Sequence, residues 1–223
     1  MLAATLINPM IPVLKLTDSV GTALDWMDQF RTRQLVVADS GLYKGIVSED
    51  ILFDIADANE QLEKVIIQHK DIFASEDQHP YELLRMVNQF GLLIIPVVHG
   101  DKTVAGSILV SDLIENFVNE LGVQEKGAVI VLKIAERDYS LAEICRLIES
   151  NGTKILSTYY SSSESSHPLN GSLLTLKLNR THITPIIATL ERFGYEIEEA
   201  HANDPIESVD QERLDMLLRY LAT

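Results

Sequence analysis

Apolar positions along the first half of the chain switch between two spacings, and the switch occurs twice. In residues 13–52 (VLKLTDSVGTALDWMDQFRTRQLVVADSGLYKGIVSEDIL) a short alternating run gives way to a stripe at Val20, Leu24, Met27 and Phe30, and alternation then returns. A spacing near 3.6 marks an amphipathic helix, and a spacing of two marks a half-buried strand. Residues 72–114 (IFASEDQHPYELLRMVNQFGLLIIPVVHGDKTVAGSILVSDLI) repeat the order, with the stripe at Leu83, Met86, Val87 and Phe90. Each copy predicts a strand, an acidic turn, a helix closing on Gln-Phe (Gln29-Phe30, Gln89-Phe90), an apolar strand and a polar turn. A strand entered through glycine (Gly45, Gly106) and an acidic helix start complete each copy. The copies lie about sixty residues apart, so a duplicated β-α-β-β-α unit is expected.

After the polar stretch 121–126 (LGVQEK) the pattern changes. GAVIVLKIA reads as a strand, Ser140-x-x-Glu143 is a capping box opening the helix LAEICRLIES, and Gly152 ends that helix. TKILSTYY alternates as a strand, SSSESSHPLNG is a polar hairpin loop and SLLTLKLN is the returning strand. Thr184-Pro185 supplies a cap and a first-position proline for IIATLERF, Gly194 stops it, and YEIEEAH is a last strand. The order β-α-β-β-α-β is the ferredoxin-like one. Finally, Ser208-x-x-Gln211 is a second capping box before an amphipathic helix carrying Leu214, Leu217, Leu218 and Leu221, expected to pack on the body or on a partner.

Composition narrows the functions such an α+β chain can have. Its 223 residues are 46% hydrophobic, enough for a proper core, and length alone suits one large domain or two smaller ones. The longest apolar stretch, Gly91 to Val98, is far short of the roughly 20 residues that span a bilayer. The N-terminus has no basic segment ahead of its apolar residues and makes a poor signal peptide. Eighteen Lys and Arg against 33 Asp and Glu leave a charge of −15, and residues 1–125 alone hold 8 against 19, or −11. That balance excludes the basic face a nucleic-acid binder needs. The single Cys145 fits a reducing cytoplasm, and its apolar helical neighbours read as a core setting for the thiol rather than that of a nucleophile.

The repeat, the apolar strand Ile94 to Val98 and the endings GIVSED and GSILVSD together resemble a tandem pair of CBS domains, over roughly residues 8–120. The second half resembles an ACT domain. The resemblance implies a CBS pair at 1–122 (repeats at about 8–65 and 66–122) and an ACT-like domain at 127–203, and the capping box and leucine stripe add a C-terminal helix at 204–223. In CBS modules the ligand ribose is held by a hydroxyl residue three after the glycine and an acid six after it. A carboxylate accepts from the 2′- and 3′-hydroxyls, and a helix N-terminus favours a phosphate. Here Ser48 is in register, but Asp50 arrives one residue early. Asp112 is in register, while Leu109 replaces the hydroxyl and Ser111 is displaced. A one-residue slip turns a helical side chain by about 100°, so Asp50 serves only if its helix begins a residue sooner. The pocket of Asp112 therefore ranks first, with Ile95, Pro96 and Val97 supplying backbone groups and a wall for the adenine. In the alternative reading, Ser48 and Ser111 are helix N-caps and the two acids simply favour helix dipoles.

Charge refines the expected ligand. Arg31, Arg33 and Lys44 are the best-placed cations near the first repeat, and a solvated loop also explains them. AMP, adenosine or S-adenosylmethionine is favoured over ATP. In the ACT-like half, effector sites use the loop after the first strand, here 135–140. Asp138 can meet an amino group there, but Tyr139 stands where the family has glycine, and its Cβ obstructs close approach. The six histidines never fall three or four apart on one helix, and no glycine-rich phosphate loop or nucleophile elbow occurs, so no metal, cofactor or catalysis is expected. The reading is a cytoplasmic regulatory homodimer that senses an adenosine-containing metabolite and acts on a protein target, with no nucleic acid or membrane partner. Its rivals are a scaffold with degenerate pockets and an amino-acid sensor.

Overall fold

The computed structural model describes residues 2–161 and 172–202. The tip of the predicted hairpin loop and the predicted C-terminal helix therefore lie outside the described residues. The chain divides into two compact units between Phe117 and Val118. In the first unit, β1 (Leu14–Lys15), α1 (Val20–Phe30), β2 (Gln34–Asp39), β3 (Leu42–Ser48) and α2 (Glu49–Phe53) form one set. The second set comprises β4 (Ala74–Ser75), α3 (Pro80–Phe90), β5 (Ile94–Val98), β6 (Val104–Leu109) and α4 (Val110–Glu120). The strands order as β1-β2-β3 and β4-β5-β6, each with a parallel first pair and an antiparallel second pair.

The duplication extends to register. Leu14 lies opposite Val37 as Ala74 does opposite Val97, and Gly45 opposes Val37 as Gly106 opposes Val97. Both antiparallel ladders shift by one residue at the next position. Leu14 to Ala74 is a step of 60, and Gly45 to Gly106 is a step of 61, because seven residues separate the paired Val37 and Gly45 and eight separate the paired Val97 and Gly106. Local chemistry explains the helix ends. Ser19 Oγ accepts from the Thr22 N–H at 3.1 Å, while His79 Nδ1 accepts from the Tyr81 N–H at 3.2 Å beside a helix-initiating Pro80. Left-handed residues, Arg31 at φ 51° and Gly91 at φ 64°, end the two helices. The middle strands β2 and β5 touch, and Leu35, Val36, Val37, Ile94, Ile95 and Val97 lie without exposure in one core that draws on both repeats.

The second unit contains β7 (Ala128–Ile134), α5 (Leu141–Ser150), β8 (Ile155–Ser161), β9 (Ser172–Leu178), α6 (Thr184–Arg192) and β10 (Glu196–His201). Its sheet runs β10-β7-β9-β8 with every neighbouring pair antiparallel. Apolar residues of α5 and α6, among them Ile144, Leu147, Ile148, Ile186 and Leu190, share a core with Ile130, Leu132, Leu174 and Leu176 of the sheet.

Three local expectations need correction. The strand β8 does not alternate strictly, since Tyr159 and Tyr160 are both exposed; β8 is an edge strand, and its last residues are not sandwiched. Thr184 is the first residue of α6 rather than its cap, which is Ile183, and its buried hydroxyl has no partner among the described residues. Cys145 is half-buried rather than core, and burial, then Glu149, raises the pKa of its thiol, which opposes thiolate chemistry. Ser140 does cap α5, its Oγ accepting from the Glu143 N–H at 3.4 Å.

Candidate functional site

Two short crossings tie the repeats of the first unit together. The segment leading into repeat 1 runs along β6, where the Asn8 N–H donates to the Ser107 carbonyl at 2.9 Å. The segment leading into repeat 2 runs along β3, where Gln68 and Ile46 exchange both backbone bonds at 2.8 Å. The two glycines permit this approach. A Cβ on Gly45 (φ 138°) would collide with the Gln68 carbonyl, and one on Gly106 (φ 156°) with a methyl of Ile7. At each crossing a side chain reaches the helix entrance of the opposite repeat: Asn8 Nδ2 donates to Asp112 Oδ2 at 2.8 Å, and Ser48 Oγ donates to Gln68 Oε1 at 3.4 Å.

Asp112 is the third residue of α4 and is half-buried. Ser111 is the second residue of that helix, not its N-cap, and its Oγ donates to Asp112 Oδ1 at 3.3 Å. A carboxylate has about four acceptor positions, so two remain open once Asn8 and Ser111 are bound. Leu109, where a hydroxyl was wanted, closes β6. The helices α2 and α4 both begin four residues after their glycine, at Glu49 and Val110, so the earlier start that Asp50 required is not present. Asp50 occupies the position of Ser111, exposed and a helical step of about 100° away from that of Asp112. Ser48 has the extended backbone of an N-cap but makes no cap hydrogen bond. Arg33, with 77% of its side chain exposed, lies 3.6 Å from Glu49, and Lys44 lies 3.8 Å from Asp39.

Ile95, Pro96 and Val97 are wholly buried in β5, opposite Ile108, Ser107 and Gly106 of β6. They stand beside the strand that Asn8 crosses. Ser107 is also buried, and its Oγ has no hydrogen-bond partner among the described residues. Sequence reasoning passed over Asn8, Gln68 and Ser107. Asn8 and Gln68 lie sixty residues apart at equivalent places, which was the signal available for finding them.

The second unit holds a cavity of about 670 Å³ between the β7–α5 and α6–β10 loops. Asp138 and Tyr139 both line it. The Asp138 carboxylate is 3.4 Å from Arg137 Nε, and the Tyr139 ring meets Tyr160 edge to face at 5.2 Å. Across the cavity, the Tyr195 hydroxyl donates to Glu143 Oε2 at 3.2 Å and Lys133 Nζ donates to Glu196 Oε1 at 3.3 Å. Burial first, then the Glu143 charge, raises the pKa of the Tyr195 phenol. Both signs of charge thus border one opening. Among the described residues no cluster of His, Cys, Asp and Glu is arranged to hold a metal, and no helix is long and apolar enough to cross a membrane.

No protein-family model matches the sequence. Solved structures similar to it include a CBS domain pair/ACT domain protein from Thermotoga maritima, 22% identical, with a TM-score of 0.48 over 53% of this chain and 98% of that one. Another holds the CBS domains of a transcriptional regulator from Streptococcus pneumoniae, 19% identical, with a TM-score of 0.47 over 52% of this chain and 98% of that one. A third is CBSX2 in complex with AMP, 15% identical, with a TM-score of 0.46 over 53% of this chain and 96% of that one.

Proposed function

We propose that this chain is a non-enzymatic regulatory protein, a CBS pair at 1–122 joined to an ACT-like domain at 127–203, that senses an adenosine-containing metabolite. The observation that carries the reading is the Asp112 carboxylate. It stands six residues after Gly106 in the first turn of α4, half-buried, with acceptor positions to spare and the unpartnered Ser107 hydroxyl one strand residue from Gly106. The duplicated β-α-β-β-α order supports the CBS assignment, and the β-α-β-β-α-β order with strands β10-β7-β9-β8 supports the ACT-like one.

A mechanism follows from the crossing. Ribose hydroxyls donating to the open acceptor positions of Asp112 share the carboxylate with the Asn8 amide that holds it at 2.8 Å, so occupancy bears on how firmly the segment ahead of repeat 1 is held. The effect on a partner is limited to the ligand's differential affinity for the held and freed arrangements. With −11 on residues 1–125, and Arg33 and Lys44 already beside carboxylates, AMP, adenosine or S-adenosylmethionine is a better match than ATP.

Thermal unfolding and calorimetry with AMP, adenosine, S-adenosylmethionine and ATP test this. Ligand at a hundred times its dissociation constant stabilises by about 2.7 kcal/mol. Asp112→Ala should weaken binding at least about tenfold, the value of one charge-assisted hydrogen bond, while Asp50→Ala leaves it unchanged. No stabilisation of the parent by any of these at millimolar concentration rejects sensing in favour of a dimerisation scaffold. A monomer by light scattering removes the homodimer.

The cavity at Asp138 and Tyr139 favours a second reading, an amino-acid effector site in the ACT-like unit. Its border of Lys133, Arg137, Asp138 and Glu143 matches a zwitterion, whose two charges need opposite partners. An amino-acid panel in the same assay, with Asp138→Ala as control, tests it.

A further inference from the structure

The repeats of the first unit differ at the strand ends remote from Asp112. Beside β4 of repeat 2 this place is filled, with one ring contributed from β3 of repeat 1. The Tyr43 ring lies edge to face on Phe73 at 5.7 Å, its hydroxyl shares its one proton between the carbonyls of His69 and Ile72 at 2.8 and 2.9 Å, and Lys102 caps Phe73. The rim is closed by His99 Nδ1, 2.8 Å from Glu76. By ladder register the counterpart of Tyr43 is Val104, since Tyr43 pairs with Ala38 and Val104 with Val98; the counterpart of Phe73 is Val13. Two aromatic rings are thus replaced by two valines. A cavity of about 540 Å³ is present there, walled by Val13, Leu14, Leu16, Ala38 and Val104. Leu16 and Asp39 stand where Glu76 and His99 close the other rim, and they cannot form that pair.

We propose that this cavity is a second small-molecule site, for a planar aromatic ligand that carries a carboxylate. The aromatic part follows from the molecule's own other half, where the equivalent space receives a phenol ring packed on a phenyl ring. The acid follows from the rim. Asp39 is balanced by Lys44 at 3.8 Å, whereas Lys15, which also lines the opening, has no ion-pair partner among the described residues. Among the residues lining the opening the charge left over is therefore positive; Asp18, whose carboxylate accepts from the Lys15 N–H at 2.8 Å, lies outside the lining. The hydroxyls of Thr17 and Ser40 border the same rim. The site is separate from the nucleotide reading: Val104 begins β6 and Asp112 follows its end, a strand length of roughly 18–20 Å away.

The test uses the full chain with indole-3-acetate and 4-hydroxyphenylacetate, against tryptophol (no charge) and cyclohexylacetate (no ring). Calorimetry should show the aromatic acids binding best. In the methyl-labelled unmodified protein, the shifts should centre on Val13, Leu16 and Val104. Val13→Phe with Val104→Tyr, which rebuilds the plug of the matching place, should lower affinity at least about tenfold and raise the unfolding temperature. Should that pair not fold, Val104→Tyr alone and the methyl map of the unmodified protein decide. Lys15→Met should weaken the acids about three- to tenfold and leave tryptophol unchanged. Absence of binding to the parent, equal binding to the plugged variant, or methyl shifts confined to other residues overturns the site. Equal loss of acid and tryptophol in Lys15→Met overturns the anionic part.

Discussion

The two repeats of the first unit share order, register and bulge position, yet they use the same framework differently. At the remote strand ends, the place beside β4 is plugged by Tyr43 of repeat 1 and Phe73 of repeat 2, while the matching place beside β1 is open around Val13 of repeat 1 and Val104 of repeat 2. At the helix entrances the bias reverses. Repeat 2 presents Asp112 to Asn8, while repeat 1 turns Asp50 out to solvent and offers only Ser48 to Gln68. Duplication conserved the backbone and freed the side chains, so each copy can lose a feature that the other retains.

The largest expected effect breaks the plug. Tyr43→Ala should cost about 3–5 kcal/mol, because it empties a packed ring site and takes from the Ile72 carbonyl its hydroxyl partner, whereas Val104→Ala at the matching position should cost about 1 kcal/mol. Denaturant melts of both variants compare them, and similar losses would deny that only one of the two places is plugged. Next come the glycines. Gly45→Ala should cost about 2–3 kcal/mol, since its Cβ meets a backbone carbonyl in a paired crossing, and Gly106→Ala less, since the Ile7 methyl can move aside.

Smaller still is the helix-end pair. Arg31 holds a left-handed conformation that Gly91 adopts freely, so Arg31→Gly should stabilise and Gly91→Ala destabilise, each by about 1 kcal/mol in thermal melts. The smallest effect is in pH dependence. Burial, then the Asp71 charge, pushes the Tyr43 pKa well above the usual tyrosine value. The fold therefore favours the neutral phenol. Its contribution is complete below about pH 10, where the unfolded tyrosine titrates, and is lost as pH rises further. Tyr43→Phe should flatten the fall in stability above pH 10 relative to the parent.

Much of the fold was legible because it rests on local periodicity. The stripes of α1 and α3, the glycines entering β3 and β6, and the Ser140 cap each follow from neighbouring residues. Misreadings occurred where a neighbour in space overrode one in sequence. Ser111 reads as a cap until its hydroxyl is seen on Asp112 within the helix. The TYY end of β8 reads as alternating until it is placed at a sheet edge. Of the candidate site, the acid at 112 could be found by counting from Gly106. Its partner Asn8 lies 104 residues away and is joined to it only by the crossing.

The sequence by itself determined the duplication, the order of strands and helices and the acidic balance, because those depend on residue type and short spacing. Only the tertiary structure decided that Asp112 is held by Asn8, that Asp50 faces water, and that Val13 and Val104 leave open a space that Phe73 and Tyr43 fill. Those outcomes depend on which distant segments meet, and side-chain volume and hydrogen bonding act only once they do.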